Sequence, residues 1–256
     1  MKSYSLIACV ILGFQLSAQQ VGQPAPSLAG ETIPYSNFHQ RWAPMMQKLF
    51  QQVRDDDEIV THFVGAEVGS PYELEEFEKG SVFYEDDNLG EYYYRYNIFS
   101  SEVELKRTLM AEEKQQALIR DPKVVLIPKT GNLGYHYLPF TTSKGDRLEG
   151  YLLLLYRGEN FKIYKHLESK FTEAKPAANS MVNPIPSRFS TFTSYFLQAD
   201  GGDIAEVSLK KNRFLKELND PMADKVKQFM KEEGIDLSDE SQLIRTVAQM
   251  DLLAKQ

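Results

Sequence analysis

The feature that most restricts the fold is a change in the spacing of apolar residues along the chain. Between about Ile59 and Leu209, short runs of aromatic and β-branched residues alternate with polar ones and are separated by Gly, Asn and Asp. Because side chains of a strand point alternately to its two faces, this two-residue period indicates antiparallel strands joined by turns. Before and after this region, apolar residues recur at helical spacing. We therefore expect an α+β protein: a curved antiparallel β-meander of about seven to nine strands, flanked by an N-terminal helix and a C-terminal helical segment.

These patterns divide the 256 residues into four segments. Residues 1–18 have the composition of a signal peptide, and residues 19–36 form a Pro- and Gly-containing flexible leader. Residues 37–209 are predicted to hold a helix and the antiparallel β domain. Residues 210–256 are predicted to form a C-terminal helical segment that packs on this domain, because such short helices are marginally stable alone.

The N-terminus predicts export. Lys2 supplies a positive start, Leu6 to Leu16 is an apolar stretch, and small residues end at Ala18. This stretch is shorter than the roughly 20 apolar residues that span a bilayer. The single cysteine, Cys9, lies in "LIAC" and could be lipidated, although cleavage after Ala18 is the favoured alternative. The expected location is periplasmic, outer-membrane-associated or extracellular.

Several chemistries are not supported by the sequence. Cleavage after Ala18 would leave a mature chain without cysteine, and therefore without disulfides or thiolate metal sites. The four histidines (His39, His62, His136 and His166) lack metal-binding spacing, so neither a metal nor a cofactor is expected. No strand-to-helix nucleophile motif or Gly-rich phosphate loop is present. The net charge of −7 and the absence of a basic stripe argue against nucleic acid binding.

The stretch "GEYYYRYNIFSSEVELKR" (90–107) predicts a hairpin that turns at its two serines. In this register Ile98 lies opposite Val103, and Tyr96 lies opposite Leu105. Alternation then places Tyr92, Tyr94 and Tyr96 on one apolar face. We expect this face to line the core, the alternative being an exposed platform for a carbohydrate.

The opposite face of this hairpin carries the candidate binding residues. They are polar or amphipathic side chains, namely Tyr93, Arg95, Asn97 and Glu104. Asn97 is expected to face Glu104, with Arg95 diagonal to it. A further prediction is that Ser238 caps the last helix and that "MAEEKQQALIRDP" (110–122) inserts a short helix.

A second hairpin is predicted at Gly158-Glu159, where Gly suits a type II′ turn and Tyr156 would oppose Phe161. The preceding strand, Tyr151 to Tyr156, is apolar on both faces and must be covered on both sides. The sequence leaves two covers open: the terminal helices, or a lipid-like ligand or partner protein.

The order of these features resembles a group of exported proteins from Gram-negative bacteria that have no assigned activity. The resemblance rests on "GSPYELEEFEKGSVFY" (69–84), "YRYNIFSSEVELK" (94–106), "GYLLLLYRGENFKIYKH" (150–166) and a Lys-rich helical tail. It covers roughly Gly69 to Gln256 and implies export, a β-rich body and a helical C-terminus. It implies no catalytic residues.

The leading functional hypothesis is an exported, non-enzymatic binding or structural module of the cell envelope. Its partner would be an unknown protein, glycan or lipid. One alternative is a hydrolase of envelope polymers that uses paired carboxylates, for which Glu75-Glu76, Asp86-Asp87 and Glu102/Glu104 are candidates. Another is a lipid carrier.

Overall fold

The computed structural model describes residues 68–130, 133–177, 181 and 183–255. In this part of the chain, ten strands form one sheet and three helices follow near the C-terminus. This architecture confirms the predicted α+β class. The predicted signal peptide, leader and N-terminal helix lie outside the described residues.

The strands, in chain order, are β1 (Glu78–Tyr84), β2 (Asp87–Asn97), β3 (Glu102–Lys106), β4 (Gln116–Ala117), β5 (Val124–Pro128), β6 (Tyr135–Thr141), β7 (Arg147–Arg157), β8 (Phe161–Thr172), β9 (Arg188–Ala199) and β10 (Ile204–Glu206). The helices are α1 (Lys211–Lys216), α2 (Asp220–Glu232) and α3 (Glu240–Ala254).

The sheet consists of two runs of neighbouring strands. β1 to β4 lie side by side, whereas β5 pairs with the other side of β1 and the order then continues through β6 to β10. β10 also returns to β6, where Ala205 pairs in parallel with Thr141. Strands β6 to β10 therefore close into a ring, called here the small barrel, and β1 to β5 extend the sheet from β6.

Strand β7 is apolar on both faces, and the sheet itself covers both of them. Leu152 and Leu154 point into the small barrel, whereas Tyr151 and Leu153 point to the core on the opposite face. All four side chains are at most 5% exposed. The small barrel has a buried apolar core consisting of Phe140, Leu152, Leu154, Tyr164, Phe196 and Ile204. Further along β7, Leu155 and Tyr156 pack against the apolar cluster of the C-terminal helices, so the sheet and these helices together cover the predicted strand.

The three helices cover the outer face of β8 and β9. Phe161, Ile163 and Tyr195 of the sheet pack with buried apolar residues of the helices, consisting of Phe214, Val226, Met230, Leu243, Val247 and Met250. The Asp239 side chain, rather than the predicted Ser238, caps α3 by accepting the Gln242 N–H at 3.1 Å. Helix α3 thus starts one residue later than predicted, and the Ser238 N–H donates to the Asp236 side chain at 3.0 Å.

The β2–β3 hairpin forms with the predicted inward face but with a register shifted by two residues. Tyr96 pairs with Val103, not with Leu105. The ladder ends earlier because the N–H groups of Ile98 and Phe99 donate to a carbonyl outside the hairpin, that of Pro71, at 2.8 and 3.2 Å.

The shift leaves every side chain on its predicted face of the strand, because side chains alternate with a period of two residues. Tyr92, Tyr94 and Tyr96 are 7, 5 and 3% exposed. Their placement in the core is confirmed, and they do not form an exposed platform.

The β7–β8 hairpin also differs from its prediction. Tyr156 pairs with Ile163 instead of Phe161, and the strand bulges at Leu155. The Gly158 N–H donates to the Phe161 carbonyl at 2.8 Å, so the turn encloses Glu159 and Asn160, one position later than predicted. Gly158 also lacks the positive φ that a type II′ turn requires, so that prediction is wrong.

The predicted helix at 110–122 is wrong as well. This stretch contains β4, which pairs with β3 through Ala117 and Gln116. The Glu113 carboxylate accepts the backbone N–H groups of Arg107 and Thr108 at 2.6 and 2.8 Å. The side chain thereby stabilises a turn, which competes with a helix for the same backbone.

Candidate functional site

The structure brings together three of the four residues predicted to bind a ligand. Arg95 pairs directly with Glu104 across β2 and β3, and Asn97 lies two positions along the same face of β2. We call these three residues the Arg95 cluster. Tyr93 is on the same face but outside the cluster, and its half-buried ring lies 5.4 Å from the Lys79 ammonium.

The Arg95 guanidinium is held by both charge and aromatic rings. Its Nε and Nη2 atoms donate to Glu104 Oε2 at 3.1 and 2.7 Å. Its Cζ atom lies 3.6 Å from the Tyr72 ring centroid and 4.5 Å from that of Phe77, well within the range of cation–π attraction. Nη1 also donates to the Glu75 carbonyl at 3.2 Å. Residues 72–77 therefore cover the cluster.

Asn97 and Glu104 are each only 6% exposed. Asn97 Nδ2 donates to Glu104 Oε1 at 3.2 Å, and Asn97 Oδ1 accepts the Ser100 N–H at 3.1 Å. These contacts hold Glu104 in place for Arg95, whose contacts tie residues 72–77 to the sheet, which is a structural role. Ligand binding by this set stays a prediction, and a ligand would reach these atoms only after residues 72–77 had moved away.

A small pocket next to the cluster combines tyrosines with glutamates. Its lining consists of Glu73, Leu74, Glu76, Glu78, Tyr94, Arg95, Tyr96 and Tyr135. We call it the tyrosine pocket, and it has room for about one water molecule. The Tyr135 hydroxyl donates to the Glu73 carboxylate, and the Tyr94 hydroxyl donates to Glu78 Oε2 at 3.3 Å.

The phenols of this pocket are proton donors that stay neutral. Burial raises the pKa of Tyr96 to about 12. Burial also raises the pKa values of Tyr94 and Tyr135, and the neighbouring carboxylates raise them further.

A hydrolase that uses paired carboxylates needs two carboxyl groups that flank the bond to be cleaved. In the tyrosine pocket, both Glu73 and Glu78 accept phenolic hydrogen bonds. Of the pairs suggested by the sequence, Glu102 and Glu104 are each bound to an arginine, Arg120 and Arg95 respectively.

The two described histidines face the interior of the small barrel rather than a metal. His136 lies 6.5 Å from the Tyr164 ring, and His166 lies 5.0 Å from the Phe140 ring. Burial lowers the pKa of both, that of His136 to about 4. Among the described residues no group of three or more His, Cys, Asp or Glu side chains is arranged to hold a metal ion.

A feature that the sequence analysis missed lies along the outer edge of β9. The Phe189 N–H donates to the Val68 carbonyl at 3.0 Å, and the Tyr195 carbonyl accepts the Val207 N–H at 2.9 Å. Because β9 pairs with β8 without a bulge, alternate residues present their backbone groups to the same side. The N–H and C=O groups of Thr191 and Thr193 therefore point to this edge as well.

These two threonines lie between Phe189 and Tyr195, whose outward backbone groups are hydrogen bonded. Within the described chain, neither makes a backbone hydrogen bond on this side. Both are exposed, and Phe192 between them is 54% exposed on the adjacent face. The gap from Phe189 to Tyr195 is about 20 Å long at 3.4 Å per residue. We call it the β9 edge gap.

In the described residues, no helix is both long and apolar enough to cross a bilayer. No protein family, curated protein or solved structure was found to match the chain. The function must therefore be inferred from the geometry described above.

Proposed function

We propose that this protein is an exported, non-enzymatic binding module of the bacterial cell envelope. Its ligand is an extended segment of a partner protein, which adds a strand in the β9 edge gap. The observation that carries this proposal is the pair of outward-pointing backbone units at Thr191 and Thr193, which have no hydrogen-bond partner in the part of the chain that the structure describes.

A peptide fits this site better than a glycan or a lipid. Exposed N–H and C=O groups repeating at every second residue match the spacing of a peptide backbone in a β-ladder. The exposed ring of Phe192 adds an apolar contact for one side chain of the guest. No comparable complement exists for a lipid along β7, because Leu152 and Leu153 are already covered by the sheet.

The location in the envelope is supported by the sequence. Lys2, the apolar stretch from Leu6 to Leu16 and the small residues up to Ala18 form the pattern of a cleaved signal. The mass of the protein recovered from a Gram-negative periplasm tests this part. A chain that begins at Gln19 supports export, whereas a chain that retains residues 1–18 in the cytoplasm contradicts it.

The binding proposal is tested by photo-crosslinking in an envelope extract. A benzoylphenylalanine at position 192 should crosslink to one defined segment of a partner protein. The same group at Leu252, which is 56% exposed on α3, is the matched control and should not capture that segment. A synthetic peptide of the captured segment should then protect the amide protons of Thr191 and Thr193 from hydrogen exchange.

Two proline variants separate strand addition from ordinary surface contact. Thr191→Pro and Thr193→Pro remove N–H groups that point away from β8, so the β8–β9 ladder keeps its bonds. Each should abolish peptide binding, while Thr191→Val and Thr193→Val should bind normally because they keep the N–H. Binding that survives both prolines would show that no strand is added here.

A further inference from the structure

One end of the small barrel carries two cations and an imidazole whose buried Nε2 atom has no hydrogen-bond partner among the described residues. We propose that this end, formed by Arg157, Lys162 and His136, binds a phosphate group. This site is separate from the β9 edge gap and does not depend on it.

The strand register places the three residues together. Arg157 of β7 lies directly opposite Lys162 of β8, and directly opposed residues share a face. Lys162 and Tyr164 are two positions apart on β8, so both lie on the barrel face. His136 of β6 lies opposite Leu152, whose side chain points into the barrel, and its ring contacts that of Tyr164.

Within the described ranges, no carboxylate neutralises the two cations. Neither Arg157 nor Lys162 makes an ion pair with any described residue. The nearby loop carries Asp200 and Asp203, but both are exposed and neither comes within ion-pair distance of these cations. Like charges placed directly opposite each other destabilise a strand pair, and an anion bound between them removes that repulsion.

His136 offers a ligand a hydrogen-bond acceptor in addition to the two positive charges. Its Nε2 atom is buried and has no hydrogen-bond partner among the described residues. Burial lowers the pKa of this imidazole, and Arg157 and Lys162 lower it further, so the ring is neutral at pH 7. A neutral ring that hydrogen bonds to the backbone of Leu133 through its other nitrogen presents Nε2 as an acceptor.

A phosphate group supplies both a negative charge and a donor. With a second pKa near 6, phosphate and its monoesters carry a P–O–H group in a substantial fraction of molecules near neutral pH. The charged oxygens suit Arg157 and Lys162, and the P–O–H group suits His136 Nε2. The Tyr164 side chain next to His136 is held in place, because its hydroxyl donates to Gln198 Oε1 and Gln198 Nε2 donates to the Gly202 carbonyl. A carboxylate offers the charge but, at this pH, not the donor.

The test is a titration of the full chain with inorganic phosphate, followed by nitrogen-15 NMR of the histidine side chains. Phosphate should shift the His136 Nε2 signal, and acetate at the same ionic strength should not. The variant Arg157→Gln/Lys162→Gln should weaken phosphate binding at least tenfold. Lys170→Gln, which removes an exposed lysine of β8 away from this end, is the matched control and should change it less than twofold.

Two results would overturn the proposal. One is an Nε2 signal that phosphate does not move at a concentration of about 10 mM. The other is equal binding by the double variant. Glycerol phosphate and vesicles that contain phosphatidic acid then distinguish the sources of the group. Binding of the first assigns a free phosphomonoester, and binding of the vesicles alone assigns a lipid headgroup.

Discussion

Asp251 fastens the C-terminal helices to the sheet, and its removal should destabilise the protein strongly. Its carboxylate lies in the last turn of α3 and is 3% exposed. Oδ1 accepts the backbone N–H groups of Asn160 and Phe161 at 2.7 and 3.1 Å, and Oδ2 accepts that of Glu159 at 3.3 Å. One side chain thus satisfies three consecutive donors of the β7–β8 loop.

The cost of Asp251→Ala can be worked out from these donors. A buried donor that loses its acceptor costs about 1–3 kcal/mol. Water can replace the carboxylate at the exposed Glu159 and the half-buried Asn160 but not at the buried Phe161. The Phe161 N–H then accounts for about 1–3 kcal/mol, and each of the two hydrogen bonds that pass to water accounts for about 1 kcal/mol. We therefore expect a loss of about 3–5 kcal/mol, a large share of the 5–15 kcal/mol that is typical of a domain. Asp251→Asn keeps one acceptor oxygen and should cost about 1–2 kcal/mol.

A substitution at Gly158 tests whether the Asp251 carboxylate itself is responsible for this stability. A Cβ at Gly158 would lie 2.5 to 2.7 Å from the carboxylate atoms of Asp251, so alanine does not fit there. Gly158→Ala should therefore be costly in the wild type and much less costly in Asp251→Ala, where those atoms are gone. Urea unfolding of the four proteins, followed by circular dichroism, gives the coupling free energy. Costs that add within about 0.5 kcal/mol would refute this account of the contact.

The loss of unfolding free energy at acidic pH tests whether the charge of Asp251 stabilises the protein. Burial is the largest single influence and opposes ionisation, but the three backbone N–H groups and Lys255 together outweigh it, so the pKa is lowered. A lowered pKa means that the contribution of Asp251 is present above the unfolded pKa near 3.9 and is lost as the pH falls below it. Asp251→Asn should lose less stability than the wild type on acidification below pH 4, and an identical acid limb would contradict this.

Two further predictions concern buried groups of the sheet. The pKa of His136, lowered to about 4, lies below its unfolded value of 6.5, so the unfolded chain binds the proton first and stability falls by up to about 3 kcal/mol between pH 6.5 and 4. Urea unfolding at both pH values should show a smaller loss in His136→Phe; an equal loss would argue against this residue. Arg95→Ala leaves the carboxylate of Glu104 buried and unpaired and should cost about 3–5 kcal/mol, whereas Arg95→Met/Glu104→Leu should cost less than the single change. The same unfolding assay decides, and a double variant no more stable than Arg95→Ala would contradict the reasoning.

The faces of the strands could be predicted from the sequence because they depend on local alternation alone. Tyr92, Tyr94 and Tyr96 are buried as parity requires. Registers could not be predicted, because distant residues set them. Pro71 takes the N–H groups of Ile98 and Phe99 and ends one ladder early.

The β7–β8 hairpin is a second case in which a distant residue sets the local structure. Gly158 suggested a two-residue turn, since glycine there usually supplies a positive φ. In the structure this glycine is needed for the close approach of Asp251, which lies 93 residues further along the chain. The carboxylate accepts the N–H groups of Glu159, Asn160 and Phe161. A local pattern cannot reveal a partner of this kind.

The candidate site depends even more on the three-dimensional arrangement of neighbours. "RFSTFTSYFLQ" predicts a strand, and its alternation does not distinguish a central strand from an edge. The gap arises because β9 has twelve residues whereas β10, its neighbour on that side, has three, and Val68 covers only the other end. Exposed edges are usually protected by charge, proline or a bulge, because they invite strand addition. From Thr191 to Thr193 the chain has no charge, proline or bulge. Thr191→Pro and Thr193→Pro would introduce a proline there and should block strand addition.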